Sequence, residues 1–390
     1  MTEPPLFFLV AGEASGDWLG AGLMRALKKR LPAVRFAGIG GPRMQAEGLQ
    51  LFFAQDEITH FGLVEVLRHL PRLLKRIGQT VAEVKRRRPA ALITIDSPDF
   101  NFRVARKLKG QGISLIHYVA PTVWVWRARR ARKVAQFLDH LLTLLPFEPP
   151  YFADEGLAAT FVGHPVVESG ADRGDGVRFR INHGLAPGTP LLAVLPGSRM
   201  GEVARLMPIF RATLTRLRDK HPDLCAVIPA APGVVAYVKK HSRDWPLPVI
   251  VTETDADKYD AFAASHAALA CSGTIALELA LARVPAVIAY RVNPLTAFLA
   301  RRLTNFTYAN LVNIMHGRMA VPEYLQENCA PDNLAAALET LLGDEAVRQK
   351  QVADLEGAAG WLGQGQFVPS ERAADTVLRV TGLVERSEAA

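Results

Sequence analysis

The sequence predicts an α/β protein of two domains, each folded around a parallel sheet, and three observations lead there. Its 390 residues exceed what one hydrophobic core usually organises, so two cores are expected. Short apolar runs leaving through glycine-containing loops alternate with amphipathic stretches of helical period, the pattern of successive βα units. Between 163 and 188 the apolar periodicity lapses and Gly, Asp and Pro accumulate, after which a fresh apolar run opens at Leu191. The expected division is 1–168 and 169–360, with 361–390 a helical segment that packs back on the first domain.

In chain order, strands are expected at 6–11, 91–95, 115–119, 141–144, 191–195, 226–228, 249–251 and 286–289, each a short apolar run bounded by turn formers. Helices fit between most of them. The first is expected from about Trp18, with Ser15 or Asp17 as its cap. The stretch 61–76 mixes a broad apolar side with Arg68, Arg72, Lys75 and Arg76, and Pro71 is expected to break its helix. It reads either as buried in the first domain or as a basic, apolar lip that meets anionic lipid or receives acyl chains. Towards the end, helices are expected near Asp332, as an N-cap, and near Ser370, with Gly343 and a glycine-rich loop at 357–365 as punctuation.

Composition excludes several classes. With 49% hydrophobic and 22% charged residues the chain is not of disordered type. The run 6–11 is too short for a signal or a span, and the apolar stretch 266–290 is interrupted by Ser272, Glu278, Arg283 and Pro285, so no membrane-spanning segment is expected. Cys225, Cys271 and Cys329 lack metal-ligand spacing, which argues against a disulfide scaffold or a zinc site and for a cytoplasmic compartment. The net charge of +8 favours an anionic partner, whether nucleic acid, anionic lipid or a phosphate-bearing substrate.

The loops leaving the strands carry the candidate chemistry. Gly12 to Asp17 follows the first strand and offers small residues before a helix start, where a backbone can approach a ligand. On spacing alone a tight strand-to-helix turn is the favoured reading of it. Gly38 to Arg43 reads as a second permissive turn, and neither has the order of a dinucleotide-binding loop. After 91–95, Asp96 stands at a strand end, where a carboxylate can take the proton from a sugar hydroxyl, whereas Asp99 reads better as a helix cap. The run 123–133 interleaves Trp124 and Trp126 with Arg127, Arg129, Arg130, Arg132 and Lys133. No nucleic-acid-binding motif accompanies it, so phosphate or membrane contact is favoured over nucleic acid.

In the second half, Pro196-Gly197-Ser198-Arg199 with Glu202 one turn later suits a diphosphate, and Ser272-Gly273-Thr274 with Glu278 repeats the arrangement. Glu278 lies where a carboxylate could accept both hydroxyls of a ribose. Asn310 to Asn313 reads as a loop that could close over a cleft, and Asp255-Ala256-Asp257 as helix capping rather than a metal site.

Taken in order, Gly12-Glu13-Ala14-Ser15-Gly16-Asp17, Gly41-Pro42-Arg43-Met44, Asp96-Ser97-Pro98-Asp99-Phe100-Asn101, His117-Tyr118-Val119, Val123-Trp124-Val125-Trp126-Arg127, Phe161-Val162-Gly163-His164-Pro165, Leu195 to Arg199 and Ser272-Gly273-Thr274 resemble the lipid A disaccharide synthase family. The likeness extends to Asn313 and the 369–374 segment, and departs at Phe61-Gly62, where the family often has Met-Gly. It implies two Rossmann-like domains facing an interdomain cleft, the GT-B type, and an inverting, metal-independent glycosyltransferase. That enzyme condenses UDP-2,3-diacylglucosamine with 2,3-diacylglucosamine 1-phosphate at the inner face of the cytoplasmic membrane, with no cofactor.

Carried over to this chain, the resemblance makes Asp96 the catalytic base. It puts Gly197, Ser198, Arg199, Glu202, Ser272, Gly273, Thr274, Glu278 and Asn313 on the donor side, and Glu13, Ser15, Gly16, Asp17, Asp99, Asn101, Trp126 and Arg127 on the acceptor side. Two rival readings remain open on the residues alone: a UDP-sugar epimerase on a similar double-domain frame, and a non-catalytic lipid-binding protein.

Overall fold

The computed structural model describes residues 3–58, 63–123, 128–293 and 307–383. The chain forms two compact units, Met1–Pro165 together with Gln366–Ala390, and Val166–Gly365.

In the first unit β1 (Leu6–Ala11), β2 (Arg35–Gly40), β3 (Leu49–Ala54), β4 (Ala91–Ile95), β5 (Ser114–Tyr118), β6 (His140–Thr143) and β7 (Ala159–Phe161) make one sheet, ordered β3-β2-β1-β4-β5-β6-β7. Every pairing is parallel. Parallel neighbours need crossovers, and helices supply most of them, leaving both faces of the sheet covered. That is why β1 and β4 are apolar almost throughout and buried along nearly their whole length. Phe8, Val10, Leu92 and Leu115 face one core layer with Phe102 and Phe137. Phe7, Leu9, Ile93 and Ile116 face the other, with Leu23 and Leu27 of the helix Ala14–Arg30.

The helix Pro369–Thr381 belongs to this second layer and buries Ala373, Ala374, Val377 and Leu378 there. Lys29–Glu371, at 2.9 Å, and Arg30–Asp375 tie it to the helix Ala14–Arg30.

In the second unit β8 (Leu191–Leu195), β9 (Cys225–Pro229), β10 (Val249–Thr252), β11 (Ala267–Cys271), β12 (Ala286–Tyr290) and β13 (Glu323–Leu325) are ordered β10-β9-β8-β11-β12-β13, again all parallel. In each sheet the strand order reverses once, between β1 and β4 and between β8 and β11. Consecutive loops leave opposite ways at such a point, which opens a crevice at the carboxyl ends of the strands.

Several expectations are corrected. The first helix starts at Ala14, not near Trp18, and its N-cap is Glu13, without a side-chain cap bond. Gly38 to Gly40 are the last residues of β2, Gly38 and Ile39 paired with both β1 and β3 and Gly40 with β3, rather than a turn after it. The helix Leu63–Arg87 runs through Pro71 instead of breaking there. Asp332 lies inside the first turn of the helix Pro331–Gly343, whose N-cap is Ala330. The helix Glu345–Trp361 carries Gly357 and Gly360 within it, so the expected glycine-rich loop is mostly helix. Residues 61 and 62 lie outside the described residues, as do the side chains of 63–70.

Three histidines of the first unit are held neutral. Burial, reinforced by the Arg130 charge, lowers His117 to about 3; burial with the Arg379 charge lowers His140 to about 4, and burial lowers His164 to about 4. The unfolded chain takes up these protons near pH 6.5 and the folded one does not, so stability is complete above pH ~6.5 and is lost as the pH falls towards 4. The urea midpoint is therefore expected to fall between neutral pH and the range where carboxylates titrate. His117→Gln should flatten that fall, and an unchanged slope would count against it.

Candidate functional site

The first candidate site lies at the β1/β4 reversal. Ala11 pairs with Ile95, so Gly12 and Asp96 leave the sheet side by side. The loops touch closely: a Cβ on Gly12 would lie 2.7 Å from Ser97 Oγ. Asp96 and Ser97 adopt φ of 50° and 42°, two successive non-glycine residues in the left-handed region before the helix Pro98–Leu108. Such residues cost roughly 1–3 kcal/mol each and persist where their surroundings over-determine them.

Asn101 does much of that. Fully buried, it donates through Nδ2 to the carbonyls of Asp96 at 2.7 Å and Ile95 at 3.2 Å, while the Asp96 N–H donates to Tyr118 O at 2.9 Å. The Asp96 side chain is half-buried at the end of this brace, and Asp99 is exposed one helical turn on.

Two acceptor-side expectations change here. Asn101 does not line a ligand surface, because it is fully buried with its Nδ2 committed to the turn. Asp17 is buried, and its carboxylate accepts from the N–H groups of Gly41 at 2.8 Å, Arg43 at 3.0 Å and Met44 at 2.9 Å. It locks the β2 exit rather than facing a ligand. Glu13 is half-buried, Ser15 exposed and Gly16 buried against β4. Asp99 does not make the expected cap: it lies in the first turn, and Ser97 holds the N-cap position without a side-chain cap bond. Trp126 and Arg127 lie outside the described residues.

At the β8/β11 reversal the second unit holds a pocket of about 490 Å³, and it gathers both predicted loops: Gly197, Ser198, Arg199 and Glu202 from one, and Ser272, Gly273, Thr274 and Glu278 from the other. Gly197, at φ 120°, is required, since a Cβ there would meet the Glu202 carboxylate at 2.9 Å and Cys271 Sγ at 3.6 Å. Arg199 extends into solvent, touching Glu202 at 3.3 Å. Burial, then the Glu202 charge, pushes the Cys271 thiol up to about 12, so it stays protonated and inert.

Sequence reasoning missed the third wall. Ala230, Thr252 and Lys258 line the same pocket, on segments that leave β9 and β10. Those two strands were expected, and loops at their carboxyl ends were the place to look. Lys258 is the missed cation: its Nζ lies 2.9 Å from Glu278 and 3.1 Å from Asp255. Burial disfavours its charge, but the Glu278 carboxylate outweighs this and raises its pKa; burial in turn raises that of Glu278 against the pull of Lys258. Thr254 caps the helix Asp255–Ala264 by accepting from the Asp257 N–H, so the Asp-x-Asp pair sits at a helix start. Among the described residues no cluster of three or more His, Cys, Asp or Glu is arranged to hold a metal.

Asn313 lies elsewhere. Fully buried, it donates to Val321 O at 2.8 Å and to Glu323 at 3.1 Å, and accepts from the Val321 N–H at 2.8 Å. Glu323 also accepts from the N–H groups of Ala309 and Asn310, and the Ala309 carbonyl takes the Ser272 hydroxyl at 3.2 Å. Asn313 therefore braces a pocket residue at third hand. The expected basic lip loses two of its cations in the same way: Arg72 and Arg76 bind Glu57, and Arg76 covers the Phe53 ring at 4.5 Å.

Cation, hydroxyls, open glycine backbone and a buried carboxylate together can hold a diphosphate and a diol. Two parallel-sheet units of this order define a GT-B architecture. A family model described as lipid-A-disaccharide synthetase matches residues 7–373. The lipid-A-disaccharide synthase of Rhodospirillum centenum is 58% identical over 381 residues, covering 97% of this chain and 95% of its own.

Among solved structures, MurG of Acinetobacter baumannii aligns with a TM-score of 0.62 at 15% identity over 96% of this chain and 99% of its own. A UDP-GlcNAc 2-epimerase of Neisseria meningitidis, bound to UDP-GlcNAc, aligns with a TM-score of 0.62 at 11% identity over 96% and 99%. At those identities they establish the fold. The chain belongs to the lipid-A-disaccharide synthetase family.

Asp17→Ala, which strands three backbone N–H groups, is expected to lower unfolding stability by about 2–3 kcal/mol. Denaturant titration checks this, and a change below about 0.5 kcal/mol would deny Asp17 the locking role.

Proposed function

We propose that this chain condenses UDP-2,3-diacylglucosamine with 2,3-diacylglucosamine 1-phosphate to give a β-1,6-linked disaccharide 1-phosphate and UDP, by one inverting displacement without a metal. The observation that carries this reading is the family match from 7 to 373, which spans both the Asp96 turn and the 490 Å³ pocket. Asp96 takes the proton of the acceptor hydroxyl, which attacks the anomeric carbon while UDP departs. Arg199 and the loops at Gly197, Ser198, Ser272, Gly273 and Thr274 hold the diphosphate and meet the charge that develops on it. Glu278, paired with Lys258, accepts the ribose hydroxyls. Glu202 fixes the first loop, and Glu13, Ser15, Gly16 and Asp99 stand on the acceptor side.

Both substrates carry acyl chains, so the reaction belongs at the inner face of the cytoplasmic membrane. No helix among the described residues is long and apolar enough to cross one. The first domain of this reading ends near residue 168 and the donor domain near 360, with the last helix serving the first.

Incubation with both acylated substrates, followed by mass analysis, should yield the disaccharide and UDP. UDP-diacylglucosamine consumed equally without acceptor would favour the epimerase reading instead. Asp96→Asn should lower kcat by about 10²–10⁴-fold while UDP affinity, measured by calorimetry, stays unchanged. Normal turnover in that variant would remove Asp96 from the base role.

Asn101 acts through Asp96. Asn101→Ala should lower kcat at least ten-fold with little change in donor KM, and adding Ser97→Gly, which tolerates the left-handed turn, should restore part of the loss. A double variant no better than the single one would show that the turn is not what Asn101 supports.

A further inference from the structure

We infer that a cationic groove on the first unit, between the helices Pro98–Leu108 and Ala128–Ala135, seats the phosphate headgroups of an anionic lipid surface. The inference deepens the membrane-surface part of the proposed function and rests on it.

The groove, about 570 Å³, is lined by Arg103, Arg106, Arg129, Arg130 and Lys133, with Asp99 as its one carboxylate. Among the described residues none of the five cations has an ion-pair partner. Several arginines elsewhere in the chain are paired: Arg25 with Glu47, Arg76 with Glu57, Arg178 with Asp260 and Arg318 with Asp354. Cations crowded together without counter-charges oppose folding, so folding does not account for the cluster. Its members also repel a proton beyond the groove, since the Arg130 charge helps to keep His117 neutral.

The floor is aromatic. Phe102 and Phe137 lie 5.6 Å apart and are almost fully buried, with the Arg106 guanidinium 5.1 Å from one ring and that of Arg130 6.0 Å from the other. Two charged heads thus lie over apolar rings, and Arg103, Arg106, Arg129 and Lys133 are exposed, a mix of apolar floor and accessible cations that suits a water–lipid boundary.

Position separates a lipid surface from the acceptor's own phosphate. Arg103 and Arg106 stand four and seven residues beyond Asp99, so the charges extend roughly 6 to 10 Å along the helix, away from the Asp96 turn. Five cations spread over two helices exceed what one phosphate can engage, whereas an array of headgroups can meet them. The stretch 61–76, the other candidate for this contact, has committed Arg72 and Arg76 to Glu57.

The test uses the full chain and vesicles of phosphatidylcholine with and without phosphatidylglycerol, with R103Q/R106Q/K133Q as the variant. Wild-type protein should sediment with the anionic vesicles at low salt and leave them at high salt. Each lost charge should weaken that partition about five-fold, roughly a hundred-fold for the three. Neutral vesicles should show no difference, and turnover on detergent-dispersed substrates should be retained.

Undiminished partition of the variant onto anionic vesicles would overturn the assignment. A raised KM for the phosphorylated acceptor in detergent, with vesicle binding unchanged, would overturn it too and give the groove to the substrate. Absence of turnover in the wild type would strike the proposed reaction, while the vesicle measurement would still judge the groove.

Discussion

The side-by-side parallel pairing of β1 with β4, and of β8 with β11, is the constraint from which the rest of this structure follows. Each pair sits where the strand order turns round, so the two chains leaving it diverge to opposite faces of the sheet. The pairing brings Gly12 against Ser97 just beyond Ala11 and Ile95, and in the second unit Gly197 against Cys271. Apolar strands buried on both faces fix this register. A slip by one residue would exchange the two core layers, Phe7 and Leu9 on one side for Phe8 and Val10 on the other.

Around these reversals, buried polar side chains work on the backbone more than on any ligand. Asp17, Asn101 and the Asn313–Glu323 pair each gather main-chain groups that would otherwise be left without partners in a dry interior. Burial raises the Glu323 carboxyl pKa, partly opposed by its hydrogen bonds from Asn313, Ala309 and Asn310. The result is a graded site. Exposed or half-exposed groups such as Asp96 and Arg199 are free to meet a substrate, and behind them lies a layer that sets their geometry.

Much of the fold was legible because parallel strands buried on both faces read as plain apolar runs: 6–11, 91–95 and 191–195 coincide with β1, β4 and β8. What escaped was short or mixed. β7 has three residues and lies partly exposed, and β13, also three residues, begins with the buried acid Glu323. Helix bounds failed where a residue type was trusted over its context: Pro71 is tolerated on an exposed helix side, and Gly357 and Gly360 are carried by the flanking turns.

In the candidate site, the two loops that line the pocket were found because glycine and small hydroxyl residues at strand exits have few other uses. Asp17, Asn101 and Asn313 were misplaced because a motif shows that a residue is needed and not whether it faces inward or outward. Lys258 was overlooked because its significance lies in the distance to Glu278, which spacing along the chain cannot reveal.

The helix Pro369–Thr381 closes an apolar layer that begins at Phe7. A ribosome making this chain must finish the whole of the second unit before Ala373, Ala374, Val377 and Leu378 can reach the helix Ala14–Arg30. For most of its synthesis, the first unit therefore shows the cell a greasy flank with nothing over it. Chaperone capture, premature sticking to lipid and sensitivity to a late stop codon would all gather on that one delayed seam.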